Sequence, residues 1–393
     1  MGTSLAGGPE SGFGRLMGGG FPQFPTPYFL VEEERLVENL SLLRQVSQEA
    51  GCKILLAQKA FSMFYVYPLL RQYLQGTTAS GLYEARLGKE KFGGETHVFS
   101  PAYRPSEMKE LLRFADHLVF NSPAQVEKFA FQAREAGKSV GIRINPECST
   151  QKGHAIYDPC APGSRLGTTK AQFREEQLPL LDGFHFHTLC EQDSDDLEVT
   201  LEAFEASFGS YLSQMKWINL GGGHHITRKG YHVERLIQLV RRLRRQYGVD
   251  VYLEPGEAVV LNAGFLVSSV LEVVHNQIEI AILDASAACH MPDVLEMPYR
   301  PPVLGGGMPG EKTHLYQLAG PTCLAGDVIG DYSFHYPLSE GDQVVFEDMA
   351  LYTMVKTNTF NGTALPSILF RRCSGEVELV KRFGYEDFLE RLS

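Results

Sequence analysis

The stretch Ile54–Ser62 reads ILLAQKAFS, in which an apolar run meets a glutamine and a lysine before small and apolar residues resume. A surface strand alternates polar and apolar side chains, whereas ILLA does not, so we predict a strand covered on both faces. Lys59 follows it, and two interpretations are open. Either its stem lies along apolar surface with the ammonium in water, or it is a desolvated amine that acts as a nucleophile. This segment alone favours the first interpretation, because buried lysines are uncommon.

Length and composition indicate an ordinary folded protein. The chain has 393 residues, 44% of them hydrophobic and 21% charged, which suits two domains. A net charge of -11 argues against a nucleic-acid partner. Seven cysteines without C-x-x-C spacing indicate neither a disulfide framework nor a zinc ribbon, and they favour a cytoplasmic protein. No apolar run is long enough to predict a membrane partner.

Strand-like runs alternate with amphipathic helical patterns up to about residue 255. This alternation predicts an α/β fold, a (β/α)8 TIM-like barrel over residues 35–258. After that residue, strand-like runs are separated by glycine and proline turns with few helical stretches. This pattern predicts a C-terminal mainly β domain over residues 259–393, which is joined by a strand in residues 25–34. Residues 1–24, rich in glycine, are predicted to be a disordered tail. The barrel strands are predicted at ILLA (54–57), THVFS (96–100), HLVFN (117–121), SVGIRIN (139–145), GFHFH (183–187), WINLGGG (217–223) and VYLEPG (251–256).

Polar residues and glycines follow several of these predicted strands, at the end of a barrel where active sites are built. They are Lys59, Arg143, His185, His187, Gly221, Gly222, Gly223 and Glu254. The three glycines let backbone N–H groups approach a phosphate, or they form only a tight turn. Glu254 either accepts a hydrogen bond from a protonated ring nitrogen or caps a helix.

His185-Phe186-His187 leaves a further alternative open. Two imidazoles at the end of one barrel strand can bind a metal ion, as in metal-dependent hydrolases. A lysine and a phosphate loop at the same end suit that chemistry poorly. A lysine, a phosphate cradle, a flat histidine against a ring and a carboxylate are instead the parts of a pyridoxal phosphate site without a metal.

The motifs together resemble the fold-type III pyridoxal phosphate decarboxylases, which include ornithine and diaminopimelate decarboxylases. The resemblance covers residues 25–371 and is carried by AQKAFS, FHTLCE, NLGGG, EPGE, LAGPTCLAGD and DMALYTMVKTNTFNG. It implies that Lys59 holds pyridoxal 5'-phosphate, that His187 stacks on its ring, and that Glu254 faces the ring nitrogen. It also implies that Tyr352 binds the phosphate together with Gly221–Gly223. Cys323 matches a cysteine that crosses from a second subunit to supply a proton, which implies a homodimer with shared active sites.

Departures from ornithine and diaminopimelate decarboxylases concern the substrate. Glu257 in EPGE stands where those enzymes have arginine, and Leu324 stands where they have an acid that meets the distal ammonium. These departures resemble the branch that decarboxylates carboxynorspermidine or carboxyspermidine in polyamine biosynthesis. Arg143 and extra acids would suit such a substrate, which has one carboxylate and three amines. The acids are Glu257, Asp284, Asp293 and Asp327, each of which is otherwise interpreted as a surface or turn carboxylate.

Three other functions remain open. A diaminopimelate-type decarboxylase shares the mechanism but is disfavoured by Glu257 and Leu324. A metal-dependent barrel hydrolase would use His185 and His187. A non-catalytic regulator would have no need to keep both Lys59 and Cys323.

Overall fold

The computed structural model describes residues 20–152 and 155–393. The chain divides into two compact units. Leu36–Leu261 form one, called here the barrel unit, and Met1–Arg35 with Asn262–Ser393 form the other, called the sheet unit. None of the described helices combines the length and apolarity needed to cross a membrane.

The barrel unit is a closed barrel of eight parallel strands in chain order, which confirms the predicted fold class. The strands are β2 (Lys53–Ala57), β3 (Gly76–Ala79), β4 (Glu95–Phe99), β5 (His117–Phe120), β6 (Ser139–Arg143), β7 (Gly183–His185), β8 (Trp217–Asn219) and β9 (Asp250–Leu253). The helices are α1 (Glu33–Ala50), which begins in the sheet unit, α2 (Tyr67–Leu70), α3 (Leu82–Leu87), α4 (Pro105–Phe114), α5 (Pro123–Glu135), α6 (Ser194–Leu212), α7 (Val233–Tyr247) and α8 (Glu257–Val260).

Trp217 organises the interior of the barrel. It packs in one cluster with Leu55, Val119 and Tyr252. Gly183 leaves the room that the indole needs, since a Cβ on that residue would lie 2.1 Å from the indole ring. Parallel strands direct their carboxyl ends to the same mouth, and the polar residues that follow β2, β7, β8 and β9 therefore meet there.

The sheet unit is built on β1 (Tyr28–Glu32), which pairs antiparallel with β10 (Gly264–Asn276) and parallel with β15 (Ser367–Arg371). The other strands are β11 (Ile278–Leu283), β12 (His314–Ala319), β13 (Val328–Phe334), β14 (Gln343–Glu347) and β16 (Val377–Lys381). Its helices are α9 (Ala287–His290), α10 (Asp293–Glu296), α11 (Thr353–Lys356) and α12 (Tyr385–Leu389). The confirmed fold is thus a barrel and a mainly β unit.

The predicted tail falls outside the described residues up to residue 19. From residue 20 the chain is described, and both Phe21 and Phe24 pack against a core cluster of the sheet unit. The Phe21 ring lies edge-on to Phe265, with centroids 5.1 Å apart. The packed chain therefore begins a few residues before the predicted boundary at residue 25.

Candidate active site

Lys59 lies in the turn that follows β2, at the carboxyl end of the barrel strands. The N–H of Ala57 donates to the carbonyl of Pro255 at 3.1 Å, which ties this turn to the segment after β9. Gln58 is completely buried and accepts a hydrogen bond from the Tyr67 hydroxyl at 3.0 Å. These two hydrogen bonds thus fix the backbone of the turn from which the Lys59 side chain projects. The sequence interpretation did not single out Gln58, although a polar residue directly after an apolar strand was the available signal.

The Lys59 side chain is accessible, yet its surroundings favour the neutral amine. Desolvation is the largest cause that lowers its pKa from 10.5, and the positive charge of Arg143 acts in the same direction. Glu254 and Glu257 act against them. A side chain in a recess can touch water while most of its neighbours are protein atoms, which reconciles the accessible amine with the lowered pKa. The lowered pKa favours the nucleophilic interpretation of Lys59 over that of a lysine with its ammonium in water.

Glu254 follows β9 and is held as an anion by two side chains. The Asn219 amide donates to Oε1 at 2.7 Å, and His185 Nε2–H donates to Oε2 at 3.2 Å. Burial alone would raise the pKa of this carboxyl group, but the charge of His185, with smaller contributions from His97 and the two hydrogen bonds, lowers it to about 2. Asn219 was not predicted as a site residue. Its position as the last residue of β8, two residues before the glycines, was the signal for it.

His185 supports Glu254 from inside the barrel. Its ring is stacked on Phe99, with centroids 5.6 Å apart and planes 13° apart. Desolvation lowers the pKa of His185, while the charge of Glu254 and its hydrogen bond act in the opposite direction. Arg143 covers Phe99, with its guanidinium carbon 4.6 Å from the ring centroid. Arg143, Phe99 and His185 thus form a stack that fixes the orientation of Glu254.

His187 is a neutral imidazole that contacts the glycine loop. The N–H of Gly222 donates to His187 Nδ1 at 2.9 Å, which places the ring proton on Nε2. Burial, followed by the charges of Lys59 and Arg143, holds the pKa of His187 well below 6.5. Arg143 Nη2–H also donates to the His187 carbonyl at 3.2 Å. Arg143, predicted to bind substrate, is therefore buried and engaged in supporting His187.

The glycine loop is pressed closely against neighbouring backbone. Gly221 and Gly223 have φ of +70° and +80°, and a Cβ on Gly223 would lie 2.0 Å from the Leu189 carbonyl oxygen. The N–H of Gly221 donates to Asn219 Oδ1 at 2.9 Å. A tight turn is thus sufficient to explain why these residues are glycine, without phosphate binding. A phosphate at this loop would compete with Asn219 and His187 for two of the N–H donors.

Glu257 begins α8, three residues after Glu254, and is half-buried. Its negative charge acts to raise the pKa of Lys59. One of the carboxylates predicted to bind substrate is therefore close enough to interact electrostatically with the amine. Cys190 shares this neighbourhood: burial raises its pKa to about 12, and the charge of Glu257 adds to that rise.

The remaining predicted site residues belong to the sheet unit. Tyr352, with φ of +51°, immediately precedes α11. Cys323 is exposed, and its backbone N–H donates to Asn361 Oδ1 at 2.8 Å. Asp327 is buried, and the Thr322 hydroxyl donates to its carboxylate at 2.7 Å.

Asp284 and Asp293 also have partners within the sheet unit. Asp284 Oδ1 accepts hydrogen bonds from the Ser268 hydroxyl at 2.8 Å and the Ser269 N–H at 2.9 Å. Desolvation raises the pKa of Asp284. Asp293 forms an ion pair with Lys356. These internal contacts explain both carboxylates structurally, as the surface-or-turn interpretation expects.

The described residues contain two groups of side chains close enough to share a metal ion, and neither includes His185 or His187. The groups are Glu95–His97–His117 and Asp193–Asp195–His232. His185 is engaged with Glu254, and Nδ1 of His187 is occupied by Gly222. Each of these two histidines keeps its other ring nitrogen, but among the described residues neither belongs to a group of three side chains that could hold a metal ion.

The barrel residues suit pyridoxal phosphate on three counts. Lys59 is an amine of lowered pKa, Glu254 is an anion that can accept a hydrogen bond from a protonated ring nitrogen, and His187 offers a flat neutral ring. His185 Nδ1 is buried and has no hydrogen-bond partner among the described residues. The donor set therefore fits a cationic heterocycle joined to an amine.

Comparison with known proteins agrees with this chemistry. The family model described as "Pyridoxal-dependent decarboxylase, C-terminal sheet domain" matches residues 64–350. A carboxynorspermidine/carboxyspermidine decarboxylase of Campylobacter jejuni is 42% identical over 94% of this chain and 98% of its own length. A carboxyaminopropylagmatine decarboxylase of Synechocystis sp. is 43% identical over 94% of this chain and 95% of its own length.

Solved structures give the same result. The crystal structure of carboxynorspermidine decarboxylase complexed with norspermidine, from Campylobacter jejuni, superposes with a TM-score of 0.87 at 41% identity, over 94% of this chain and all of that one. Diaminopimelate decarboxylase of Helicobacter pylori, complexed with L-lysine, has a TM-score of 0.78 at 18% identity, covering 94% of this chain and 97% of that one. The second likeness concerns the fold alone.

Proposed function

Because the chain belongs to the family of pyridoxal-dependent decarboxylases, we propose that it removes carbon dioxide from carboxynorspermidine, carboxyspermidine or both. The observation that carries this proposal is 42% identity to a carboxynorspermidine/carboxyspermidine decarboxylase over nearly the whole length of both chains. A second such relative, from Herminiimonas arsenicoxydans, is 38% identical over 94% of this chain and 99% of its own length. The products would be norspermidine or spermidine.

Pyridoxal phosphate, when bound, supplies an electron-withdrawing ring that accepts the electrons left by departing carbon dioxide. The protein's part is to hold and tune that ring. Lys59, whose pKa is lowered from 10.5 mainly by desolvation, would provide the amine that anchors the cofactor. Glu254, ionised and held by His185 and Asn219, would accept a hydrogen bond from the ring nitrogen. His187 would offer its flat imidazole to the cofactor ring.

Two further roles complete the proposed reaction. The Cys323 thiol would give a proton to the substrate carbon that loses carbon dioxide and would regain one from solvent, and Lys59 would hold the cofactor again once the product leaves. Glu257, an anion beside Lys59, attracts an amine of the substrate. An elongated substrate with several cationic amines suits this carboxylate better than diaminopimelate does, because diaminopimelate has a second carboxylate group that the glutamate would repel.

A second candidate substrate follows from the Synechocystis relative. Carboxyaminopropylagmatine decarboxylase is 43% identical to this chain, so the identities alone do not separate the two substrates. Both are long and carry several cationic nitrogens. They differ at one end, where agmatine has a planar guanidinium that favours bidentate carboxylate contacts.

Release of carbon dioxide from a panel of substrates tests the proposal. The panel consists of carboxynorspermidine, carboxyspermidine, carboxyaminopropylagmatine, diaminopimelate, ornithine and arginine. We expect kcat/KM to be highest for one of the first two, with Lys59→Ala as the inactive control. A preference for carboxyaminopropylagmatine would support the second candidate. A preference for diaminopimelate or ornithine would refute both.

We also propose that the protein is a cytoplasmic homodimer with shared active sites. The support is the resemblance of Cys323 and its surrounding motif to a cysteine that crosses between subunits. All seven cysteines are free, which suits a reducing compartment. Light scattering coupled to size-exclusion chromatography tests the oligomeric state, and a monomer mass at micromolar concentration would contradict it.

A further inference from the structure

The loop that carries Cys323 is closed by its own backbone. Gly320 N–H donates to the Asp327 carbonyl at 2.8 Å, and Asp327 N–H donates to the Leu324 carbonyl at 2.9 Å. Cys323 and Leu324 lie at the exposed tip, whereas Asp327 is only 3% exposed. The loop thus presents a thiol at its tip and buries a carboxylate at its base.

The Asp327 carboxylate joins this loop to the start of α9. Oδ1 accepts from the Ala288 N–H at 3.1 Å, and the Ser286 hydroxyl lies 3.0 and 2.9 Å from the two carboxylate oxygens. Oδ2 accepts from the Thr322 hydroxyl at 2.7 Å and the Thr322 N–H at 3.3 Å. A Cβ on Gly320 would lie 2.2 Å from Oδ2, so only glycine fits there.

A second anchor holds Cys323 from the opposite side. Its N–H donates to Asn361 Oδ1, and Asn361 itself has φ of +58°. The same segment binds α9, because Asn358 Nδ2–H donates to the Ala288 carbonyl at 2.7 Å. The cysteine loop, α9 and residues 358–361 therefore form one hydrogen-bonded cluster in the sheet unit.

We propose that Asp327 is a positioning residue that fixes the Cys323 thiol for proton transfer, and that it is not a substrate ligand. The inference rests on the proposed function, which gives Cys323 its proton-donating role. Both carboxylate oxygens are engaged with donors from the cysteine loop and from α9, in a buried position. A carboxylate accepts at both oxygens, whereas an amide of the same shape accepts at one and donates at the other. Loss of the charge therefore leaves some of these donors without an acceptor and loosens the loop.

A double-mutant cycle tests this inference on the holoenzyme. Asp327→Asn should lower kcat about 100-fold and leave KM within about twofold, because a misplaced proton donor slows the reaction without weakening substrate binding. In a Cys323→Ala background the same substitution should have little further effect on kcat, since the group that it positions is gone. The exposed Asp331→Asn on β13 serves as the control and should leave kcat unchanged.

Two additional measurements keep the test independent of a folding defect. Thr322→Val keeps the side-chain shape, removes one donor, and should show a smaller loss of kcat in the same direction. Amide hydrogen exchange of residues 320–327 should accelerate at least about tenfold in Asp327→Asn, while exchange in the barrel strands stays unchanged.

Equal losses from Asp327→Asn in the wild-type and Cys323→Ala backgrounds would overturn the inference and leave the proposed function intact. A large rise in KM would also overturn it, because that result would mark Asp327 as a substrate ligand. If Cys323→Ala had the wild-type kcat, the proton-donating role in the proposed function would itself fail, and the inference with it.

Discussion

Lys59 shows how a single residue acquires its properties from neighbours far away in the sequence. The apolar strand before it supplies the low-polarity surroundings, and Arg143, which ends β6, adds an unfavourable positive charge. Both destabilise the ammonium form. The sequence segment ILLAQKAFS contains the first cause but not the second, so on its own it favoured a surface lysine.

The lowered pKa of Lys59 leads to a pH prediction. The neutral amine is the form that attacks the cofactor aldehyde. Because the folded protein disfavours the charged form, the rate of cofactor uptake by the apo-protein should reach half of its plateau below pH 10.5. Stopped-flow absorbance measures this rate as a function of pH. Half-saturation at or above 10.5, the ordinary value for lysine, would mean that the recess does not act on this amine.

Glu254→Gln tests the role of the buried carboxylate. The variant keeps the shape and loses the charge that His185 and Asn219 stabilise. We expect kcat to fall roughly 100-fold while the cofactor stays bound, because a preorganised charge opposite the ring nitrogen is lost. Steady-state kinetics and visible absorbance measure the two quantities, with Glu135→Gln at the exposed end of α5 as control. An unchanged kcat would remove Glu254 from the mechanism.

At the scale of elements, most barrel strands could be predicted from the sequence, and β3 could not. Its sequence GTTA (residues 76–79) has no apolar run that would indicate a strand. It begins with Gly76, where a Cβ would lie 2.0 Å from the Glu95 carbonyl oxygen, so the packing there requires glycine. The glycine loop after β8 was recognised from its composition. The occupation of its N–H groups by Asn219 and His187 depends on contacts between strands, which no local pattern contains.

The glycine loop offers a matched pair of substitutions. Gly223 and Gly230 both have positive φ, but a Cβ on Gly223 would meet the Leu189 carbonyl at 2.0 Å, whereas a Cβ on Gly230 would meet nothing within 4 Å. Gly230→Ala should cost about 1 kcal/mol through backbone strain alone. Gly223→Ala should cost about 3 kcal/mol or more, since overpacking is added to that strain.

Denaturant unfolding of the two variants measures these free energies, and cofactor titration measures affinity. Gly223→Ala should also weaken cofactor binding, whereas Gly230→Ala should not. Equal losses of stability would show that the close approach to Leu189 relaxes at little cost. An unchanged cofactor affinity in Gly223→Ala would argue for a turn that has no part in phosphate binding.

At the scale of the whole molecule, the predicted site residues fall into both units. Lys59, His187 and Glu254 belong to the barrel unit, whereas Cys323 and Tyr352 belong to the sheet unit. The sequence predicted the fold of both units, whereas the barrel group of the site stays a prediction. It did not predict the partners that engage Asp284, Asp293 and Asp327, because those contacts join residues distant in the chain.

Mixing an inactive variant with a strongly impaired one tests the proposed sharing of sites between subunits. Lys59→Ala and Cys323→Ala each damage one component, so a mixed dimer with shared sites regains one complete site. About one quarter of the wild-type activity should return after subunit exchange, because half of the dimers are mixed and each has one of its two sites restored. Either variant incubated alone under the same conditions is the control. No recovery in a sample shown to contain mixed dimers would place both residues of a site in one subunit.

Covalent trapping of the cofactor tests most directly the central claim that Lys59 holds it. Borohydride reduction of the holoenzyme fixes pyridoxal phosphate to the lysine that carries it, and mass spectrometry of the digested protein identifies that residue. The adduct should be found on the peptide that contains Lys59 and should be lost in Lys59→Ala, while Lys53 at the opposite end of β2 stays unmodified. An adduct on another lysine, or one that persists in Lys59→Ala, would contradict the claim.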